Sequence, residues 1–173
     1  NRSTEDPRML KCMNELAKIF LAREKIAQAE SMSRNVFERS RLSLGDKSSV
    51  SLIRGQVLVE SLRKGGKLDE AEELSMNLVS SMEEILGPTH PDTLGAMDAL
   101  AEIVVAREDL PRGLDLYEQI LDSKERMLGD QHPETLSTLK AIARILRLQD
   151  LPEEAEEIQF MVYTRLKRKN GLE

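Results

Sequence analysis

The chain has 173 residues, of which 40% are hydrophobic and only 3% aromatic, and its formal net charge is −6. A core without tryptophan must be built from aliphatic side chains, which favours helices, because β-rich folds rely on aromatic and β-branched residues. The charges alternate in sign, no apolar run reaches about 18 residues, and the single cysteine, Cys12, cannot form an internal disulfide. We therefore expect an intracellular, cytoplasmic all-α protein that binds no nucleic acid and enters no membrane.

The first predicted helix pair begins near Ser3. Pro7 is placed in the first turn of its first helix, where the missing N–H group costs no hydrogen bond. The short polar segment Arg23-Glu24-Lys25 separates the two helices, so they must lie antiparallel. The residues predicted to form its apolar faces are Leu10, Met13, Leu16, Ala17, Phe20 and Leu21, then Ile26, Ala29, Val36 and Phe37.

The second helix pair has the same plan but different helix termini. The pair Ser48-Ser49 is predicted to provide a serine cap for its first helix. Gly65-Gly66 is predicted to end that helix, because glycine adopts the left-handed conformation at least cost. The residues predicted to form the apolar faces are Val50, Ile53, Val57, Leu58 and Leu62, then Leu68, Ala71, Leu74, Leu78, Met82 and Ile85.

The third and fourth helix pairs are the most regular. Asp109 is placed to cap a helix just before Pro111, and Gly129 to stop that helix. Asp150-Leu151-Pro152 occupies the corresponding place in the fourth pair. The predicted apolar residues are Leu94, Met97, Leu100, Ala101 and Val104; Leu114, Tyr117, Ile120, Leu121 and Leu128; Leu136, Leu139, Ile142, Ala143 and Leu146; and Ala155, Ile158, Val162 and Leu166.

The two ends of the chain suggest a fragment of a longer protein, because Asn1 falls inside a helix pair and Leu172-Glu173 could be a cloning remnant. The last helix ends in a basic group, which complements the carbonyl end of the helix dipole. A nuclear-localisation signal is the alternative interpretation. The basic group consists of Arg165, Lys167, Arg168 and Lys169.

The helix pairs repeat with a fixed period. The sequence LGPTHPDTL at 86–94 returns as LGDQHPETL at 128–136, so that Gly87 and Gly129 are 42 residues apart, and Gly45 lies one period earlier. A period of this size indicates an array in which each repeat packs on its neighbour. Residues separated by a multiple of this period are called equivalent below.

Each repeat carries a pair of small residues twelve positions apart, namely Ala17 and Ala29, Val59 and Ala71, Ala101 and Gly113, and Ala143 and Ala155. This spacing is similar to that of the tetratricopeptide repeat, in which small residues let two helices approach closely. The period and the LGxxHPxTL motif resemble the kinesin-light-chain type of this repeat. The resemblance implies an all-α right-handed solenoid of about four antiparallel helix pairs. It forms one array over residues 1–173, with repeats at 3–44, 45–86, 87–128 and 129–170.

The resemblance also implies a binding groove, because the first helix of each pair lines the concave face of such arrays, where extended peptides or partner helices bind. Family members carry asparagines there that bind the peptide backbone, and of the equivalent residues here only Asn14 is one. The predicted groove is acidic in the middle and basic in the fourth repeat, so a peptide with acids at one end and a basic or polar centre would match it. Ordinary solvated helix faces are the alternative. The groove residues are Lys11, Asn14, Lys18, Gln56, Glu60, Arg63, Asp98, Glu102, Lys140, Arg144 and Arg147, with Leu21 and Val105 in the same rows.

Other chemistries find little support. His90 and His132 are a whole repeat apart and equivalent to Ser48, which indicates a role at helix starts rather than in a metal site. The sequence has no phosphate-binding glycine loop and no nucleophile with a base that the repeat does not already explain. We therefore expect no enzymatic activity, no cofactor and no metal.

These patterns predict a non-catalytic protein–protein interaction scaffold that binds a linear peptide or partner helix in its concave groove. The alternative is self-association into a homo-oligomer through the array ends, or a structural or regulatory role in a larger multidomain protein. Uncovered apolar residues at the ends favour self-association. At the last helix these residues are Phe160, Met161, Val162 and Tyr163.

Overall fold

The structure is a computed structural model that describes residues 7–169, and in this range it consists of helices joined by short loops. The helices are α1 Pro7–Ala22, α2 Ile26–Leu44, α3 Ser49–Lys64, α4 Leu68–Leu86, α5 Pro91–Ala106, α6 Leu110–Leu128, α7 Pro133–Leu148 and α8 Pro152–Lys169. The first helices of the pairs begin at equivalent residues, and so do the second helices, which confirms the period. The predicted array limits at 3 and 170 and the suggested cloning remnant lie outside the described residues. Among those residues, no helix combines the length and the apolar character that crossing a membrane requires.

The contacts divide the chain into two compact units, the first ending at Ile103 and the second beginning at Val104, within α5. In the first unit α2 packs against both α1 and α3, and α3 packs against α4. In the second unit α7 packs against both α6 and α8. Loops of about three residues join the two helices of a pair, which makes these neighbours antiparallel.

The paired small residues are all buried. Ala17 and Ala29 are fully buried in one apolar cluster with Leu21 and Val57. In the second unit a Cβ atom on Gly113 would lie 2.5 Å from Val105 Cγ2. Helix backbones approach this closely only where side chains are small.

The helix termini confirm most of the predicted capping. The Nδ1 atom of His90 accepts a hydrogen bond from the Asp92 N–H at 3.2 Å, and His132 accepts one from Glu134 N–H at 3.3 Å. Asp109 likewise accepts from the Arg112 N–H at 3.4 Å. The histidines therefore satisfy N–H groups that have no partner within the helix.

Of the two predictions for the termini of α3, the serine cap is corrected and the glycine stop is confirmed. Ser48 occupies the capping position, but its side chain makes no capping hydrogen bond. At the other end Gly65 has a helical φ of −79°, and Gly66, with φ of 75°, is the residue in the left-handed region. The helix ends at Lys64, directly before the glycine pair, as predicted, and Gly66 is the glycine in the left-handed conformation.

Several residues predicted to lie on apolar faces are exposed instead. Leu16 and Leu166 are equivalent to Leu58 and Met82, which are buried, but they lie on the outer sides of the first and last described helices. A helical pattern cannot show whether another helix covers the face that it defines. The other exposed residues lie at the margins of their apolar stripes, and they are Val50, Ile53, Ile85 and Leu128.

Candidate functional site

The predicted groove residues of α1 differ in accessibility. Lys11 and Lys18 are exposed, and Lys18 Nζ lies 2.9 Å from Glu15 Oε1. The hydrogen bond from Lys18 lowers the pKa of Glu15. Asn14, in contrast, is only 6% exposed, and its Oδ1 atom has no hydrogen-bond partner among the described residues. A partner could reach the Asn14 amide only after neighbouring side chains move.

The predicted groove residues in the middle of the chain form an ion-pair network within the first unit. The Arg63 guanidinium donates to both carboxylate oxygens of Glu60 at 2.8 Å. The same guanidinium lies 3.3 Å from the Glu102 carboxylate, which connects α3 with α5. Lys64 adds a weaker contact to Glu60 at 3.6 Å. The acidic character predicted for this region is therefore partly neutralised by the protein's own cations.

Gln56 has a structural role that the sequence did not reveal. Its Nε2 atom donates to the backbone carbonyl of Asp92 at 2.9 Å, at the start of α5, and lies 3.5 Å from Met82 Sδ. Asp98 on α5 is half-buried and already interacts with other groups. These two side chains therefore take part in contacts within the protein.

The basic residues of α7 are less constrained. Lys140, Arg144 and Arg147 are all exposed, and their spacing of four and three residues places them on one face of the helix. None of the three has an ion-pair partner between residues 7 and 169. Arg147 Nε donates to the Ala143 carbonyl at 3.3 Å. The Gln159 amide, with its oxygen turned toward Arg147, accepts from the guanidinium at 3.2 and 3.3 Å.

Lys140 and Arg147 also border a cleft of about 430 Å³ between α7 and α8. Gln159 forms part of its wall, and α8 contributes the apolar surface of Val162, Tyr163 and Leu166. Tyr163 was predicted to be uncovered, but no α8 residue was predicted to belong to the groove. The cleft could have been predicted from α8, where the wall residues are apolar and residues equivalent to them are buried in other repeats.

The basic group at the end of α8 has partners within the second unit. Arg165 lies 2.6 Å from the Glu125 carboxylate and donates to the Asp130 carbonyl at 3.3 Å. Arg168 pairs with the Asp130 carboxylate at 3.1 Å. These contacts attach α8 to the end of α6, a structural role for this end of the helix.

A separate ion-pair cluster links α2 with α4. Lys67 Nζ lies 2.6 Å from Glu30 Oε1, and Arg34 bridges Glu30 at 3.1 Å and Glu70 at 2.7 Å. The hydrogen bond from Lys67 lowers the pKa of Glu30, and that from Arg34 lowers the pKa of Glu70. This cluster joins successive second helices and includes no predicted groove residue.

No group of three or more His, Cys, Asp or Glu side chains between residues 7 and 169 is arranged to hold a metal ion. Cys12 is an exposed free thiol.

Comparison with known proteins identifies the repeat. A tetratricopeptide repeat family model matches residues 49–126 and 95–167, which together are more than half of the chain. A search of the curated proteins found no match.

Several solved structures resemble this chain in fold. A protein from Podosopora anserina, described as a kinesin light chain with nearly identical TPR-like repeats, has a TM-score of 0.86 at 23% identity, over 96% of this chain and 78% of that one. A variant of that protein has a TM-score of 0.85 at 22% identity, over 98% and 80%. BtubC (BKLC) from P. vanneervenii has a TM-score of 0.86 at 13% identity, over 98% and 68%. At these identities the likeness shows the fold.

The family match, the structural likeness and the observed helix period agree. Tetratricopeptide repeats generally mediate protein–protein interactions and act as scaffolds rather than as catalysts. The chain belongs to the tetratricopeptide repeat family, and its fold is similar to that of the TPR-like repeats of a kinesin light chain.

Proposed function

We propose that this chain is a non-catalytic interaction module that binds an acidic segment of a partner protein on the basic face of α7. The observation that carries this proposal is the set of three exposed cations, Lys140, Arg144 and Arg147, without a carboxylate partner among residues 7–169. Exposed cations on one helix face attract carboxylates and set the register in which a partner binds. Arg144 and Arg147 can each bind a carboxylate through two parallel hydrogen bonds.

The Arg63 region is a weaker candidate for the same role. Glu60, Arg63 and Glu102 already neutralise one another across α3 and α5. A partner that used Arg63 would have to replace an existing ion pair, so little free energy would be gained from the exchange. The predicted groove residues of α3 and α5 therefore form a structural set, whereas those of α7 are available to a partner.

The electrostatic attraction on α7 must act at short range. The whole chain carries a formal net charge of −6, so an acidic partner is repelled by the rest of the surface and attracted only near the basic face. Screening limits such interactions to about 8–10 Å at physiological ionic strength. Binding should therefore weaken steeply as salt is added.

A peptide-display screen against the whole chain tests this proposal. The wild-type chain should enrich acid-rich sequences, and a variant with Lys140→Glu, Arg144→Glu and Arg147→Glu should not. The matched control is Lys11→Glu with Lys18→Glu, which reverses two exposed lysines on α1 and should leave the enrichment intact. Equal enrichment on the α7 variant would contradict the proposal.

Self-association is the second candidate function. Met9, Leu16 and Ile19 on α1 are exposed, as are Tyr163 and Leu166 on α8. Residues equivalent to each of them are buried in other repeats. This candidate predicts a monomer–dimer equilibrium in sedimentation that Tyr163→Ala shifts toward the monomer. Partner binding through α7 instead predicts that Arg144→Glu with Arg147→Glu abolishes binding and leaves the sedimentation unchanged.

A further inference from the structure

We infer that the acidic segment is an amphipathic helix that docks in the cleft between α7 and α8. It would occupy the place that the first helix of a repeat takes on the preceding helix pair. This inference rests on the proposed function, because Lys140 and Arg147 belong to both surfaces. It adds the apolar wall of α8, the helical form of the partner and the spacing of its recognition residues.

The cleft has the features of a repeat interface with one side open. Val162 is buried, whereas Tyr163 is 59% exposed and Leu166 is 36% exposed. Their equivalents in the first two repeats are buried. Those equivalents are Leu78, Val79 and Met82 in α4, and Val36, Phe37 and Ser40 in α2. The apolar wall of α8 therefore has the composition of a surface that a helix covers.

The contacts of α3 show which polar groups such a helix presents. Gln56 donates to the Asp92 carbonyl at 2.9 Å, and Arg63 lies 3.3 Å from the Glu102 carboxylate. Lys140 and Arg147 are equivalent to Gln56 and Arg63. A helix docked in the same way would place its first turn beside Lys140. An acidic residue, ten positions after the residue that matches Asp92, would lie beside Arg147.

Packing around Gly55 defines a third recognition position. A Cβ atom on Gly55 would lie 2.9 Å from Phe37 Cε2. Tyr163 is equivalent to Phe37 and has a ring of similar size, so the docked helix needs a small residue opposite it. Gly55 precedes Glu60, which is equivalent to Glu102, by five positions. The expected partner helix therefore carries a small residue five positions before its key acid.

A second copy of this chain fits the cleft poorly. In the same register its α1 would place Lys18, equivalent to Glu102, against Arg147. Like charges in contact oppose association. Met13 would also take the position of Gly55, where space is limited. The charges of the cleft therefore favour an acidic helix from a partner protein.

A peptide with the sequence of α5, residues 91–106, is a suitable probe when Met97 is changed to alanine. It carries the acids of Asp92 and Glu102 and, through M97A, a small residue opposite Tyr163. We expect it to bind the 173-residue chain, and to bind more tightly than the unchanged α5 peptide. Calorimetry with the wild-type chain provides the reference affinity.

Matched variants separate docking in the cleft from simple charge attraction. Arg147→Glu and Leu166→Ala should each weaken binding at least about fivefold. Met161→Ala is the control, because Met161 is 38% exposed on the same helix, close to the value for Leu166, but is not part of the cleft wall. Reversing the acid of the probe with E102K should abolish binding to the wild-type chain, and Arg147→Glu should restore it.

The outcomes distinguish the inference from the proposed function. Binding that depends on Arg147 but not on Leu166 overturns helix docking and leaves the acidic-partner proposal standing. Failure of the probe to bind, while display still enriches acid-rich peptides through α7, also overturns only the inference. Failure of both the probe and the display screen overturns both.

Discussion

Arg63 and Arg147 occupy equivalent positions in the second and fourth repeats but have different partners. Arg63 binds the carboxylates of Glu60 and Glu102 within the first unit. Arg147 is exposed, and its guanidinium donates to the Ala143 carbonyl and the Gln159 amide, with no carboxylate partner among residues 7–169. The same repeat position is therefore structural where a following helix supplies an acid, and available to a partner where the described chain supplies none.

A buried hydrogen bond between a cation and a hydroxyl also uses different residues in different repeats. Arg54 Nη1 donates to Ser40 Oγ at 2.7 Å in the first unit, and Lys124 Nζ donates to Thr138 Oγ1 at 3.2 Å in the second. Ser40 and Lys124 are equivalent, as are Arg54 and Thr138, so the cation and hydroxyl have exchanged helices. The repeat preserves the place of a polar contact between neighbours and not the residue that makes it.

Ser40→Ala should have the largest effect on stability. The substitution removes the hydroxyl that accepts from Arg54, a cation whose pKa is lowered by burial. Leaving this donor without a partner should reduce the free energy of unfolding by about 1–3 kcal/mol. Urea titration measures the change.

The double variant Ser40→Met with Arg54→Ala is the control for that prediction. It copies the equivalent pair Met82 and Ala96, so it should recover most of the lost stability. If Ser40→Ala unfolds at the wild-type urea concentration, the hydroxyl is not what keeps Arg54 satisfied.

Arg63→Glu and Arg147→Glu should differ in their effect on folding. The first change brings a third carboxylate beside Glu60 and Glu102 and should cost about 1–2 kcal/mol of unfolding free energy. The second changes an exposed residue and should remain within about 0.5 kcal/mol. Equal losses in thermal melts of the two variants would remove the distinction between a structural and an available arginine.

Gly113→Ala should have a smaller net effect. The added Cβ would lie 2.5 Å from Val105 Cγ2, and Val105 is equivalent to Arg63 and Arg147. A β-branched side chain in a helix has little rotamer freedom with which to move away. Overpacking costs about 1–3 kcal/mol, and alanine regains up to about 1 kcal/mol of helix propensity, so a net loss of about 1 kcal/mol is expected. Chemical denaturation can resolve this value, and an increase in stability would show that the helices can separate without cost.

The smallest predicted effect is a dependence on pH. The lowered pKa values of Glu30 and Glu70 mean that their ion pairs contribute stability above the ordinary glutamate pKa of 4.5 and lose it as the pH falls through the lowered values. Lys67→Gln should reduce this acid-side loss by a few tenths of a kcal/mol, because the pairs are partly exposed. Unfolding free energies at about pH 7 and pH 3 compare the two chains. An unchanged or steeper acid-side loss in Lys67→Gln would contradict this role for the cluster.

The sequence predicted the fold well because one period determines all the helix starts. The repetition of LGPTHPDTL matches the structure, in which α5 and α7 both begin at the proline of this motif. Burial was harder to predict at the ends, where Leu16 and Leu166 have the same pattern as buried equivalents but lie on outer sides. Periodicity describes one helix, whereas burial depends on its neighbours.

The candidate site was only partly predictable for a related reason. Helical spacing correctly grouped Lys140, Arg144 and Arg147 on one exposed face of α7. It could not show that Gln56 binds the Asp92 carbonyl, because that contact joins residues from different repeats. The α8 wall of the cleft was missed because the groove was predicted from the first helices alone, and Leu166 was assigned to an apolar core face.

The central claim is tested most directly by the affinity of an acid-rich peptide from the display screen. This affinity is measured for the wild-type chain and for the double variant Arg144→Glu with Arg147→Glu. Thermal melts should be recorded on the same samples to confirm that both chains are folded. If the partner binds on the α7 face, the double variant should lose affinity at least about tenfold, with an unchanged melting temperature. Unchanged affinity in a folded variant would contradict the assignment of partner binding to α7.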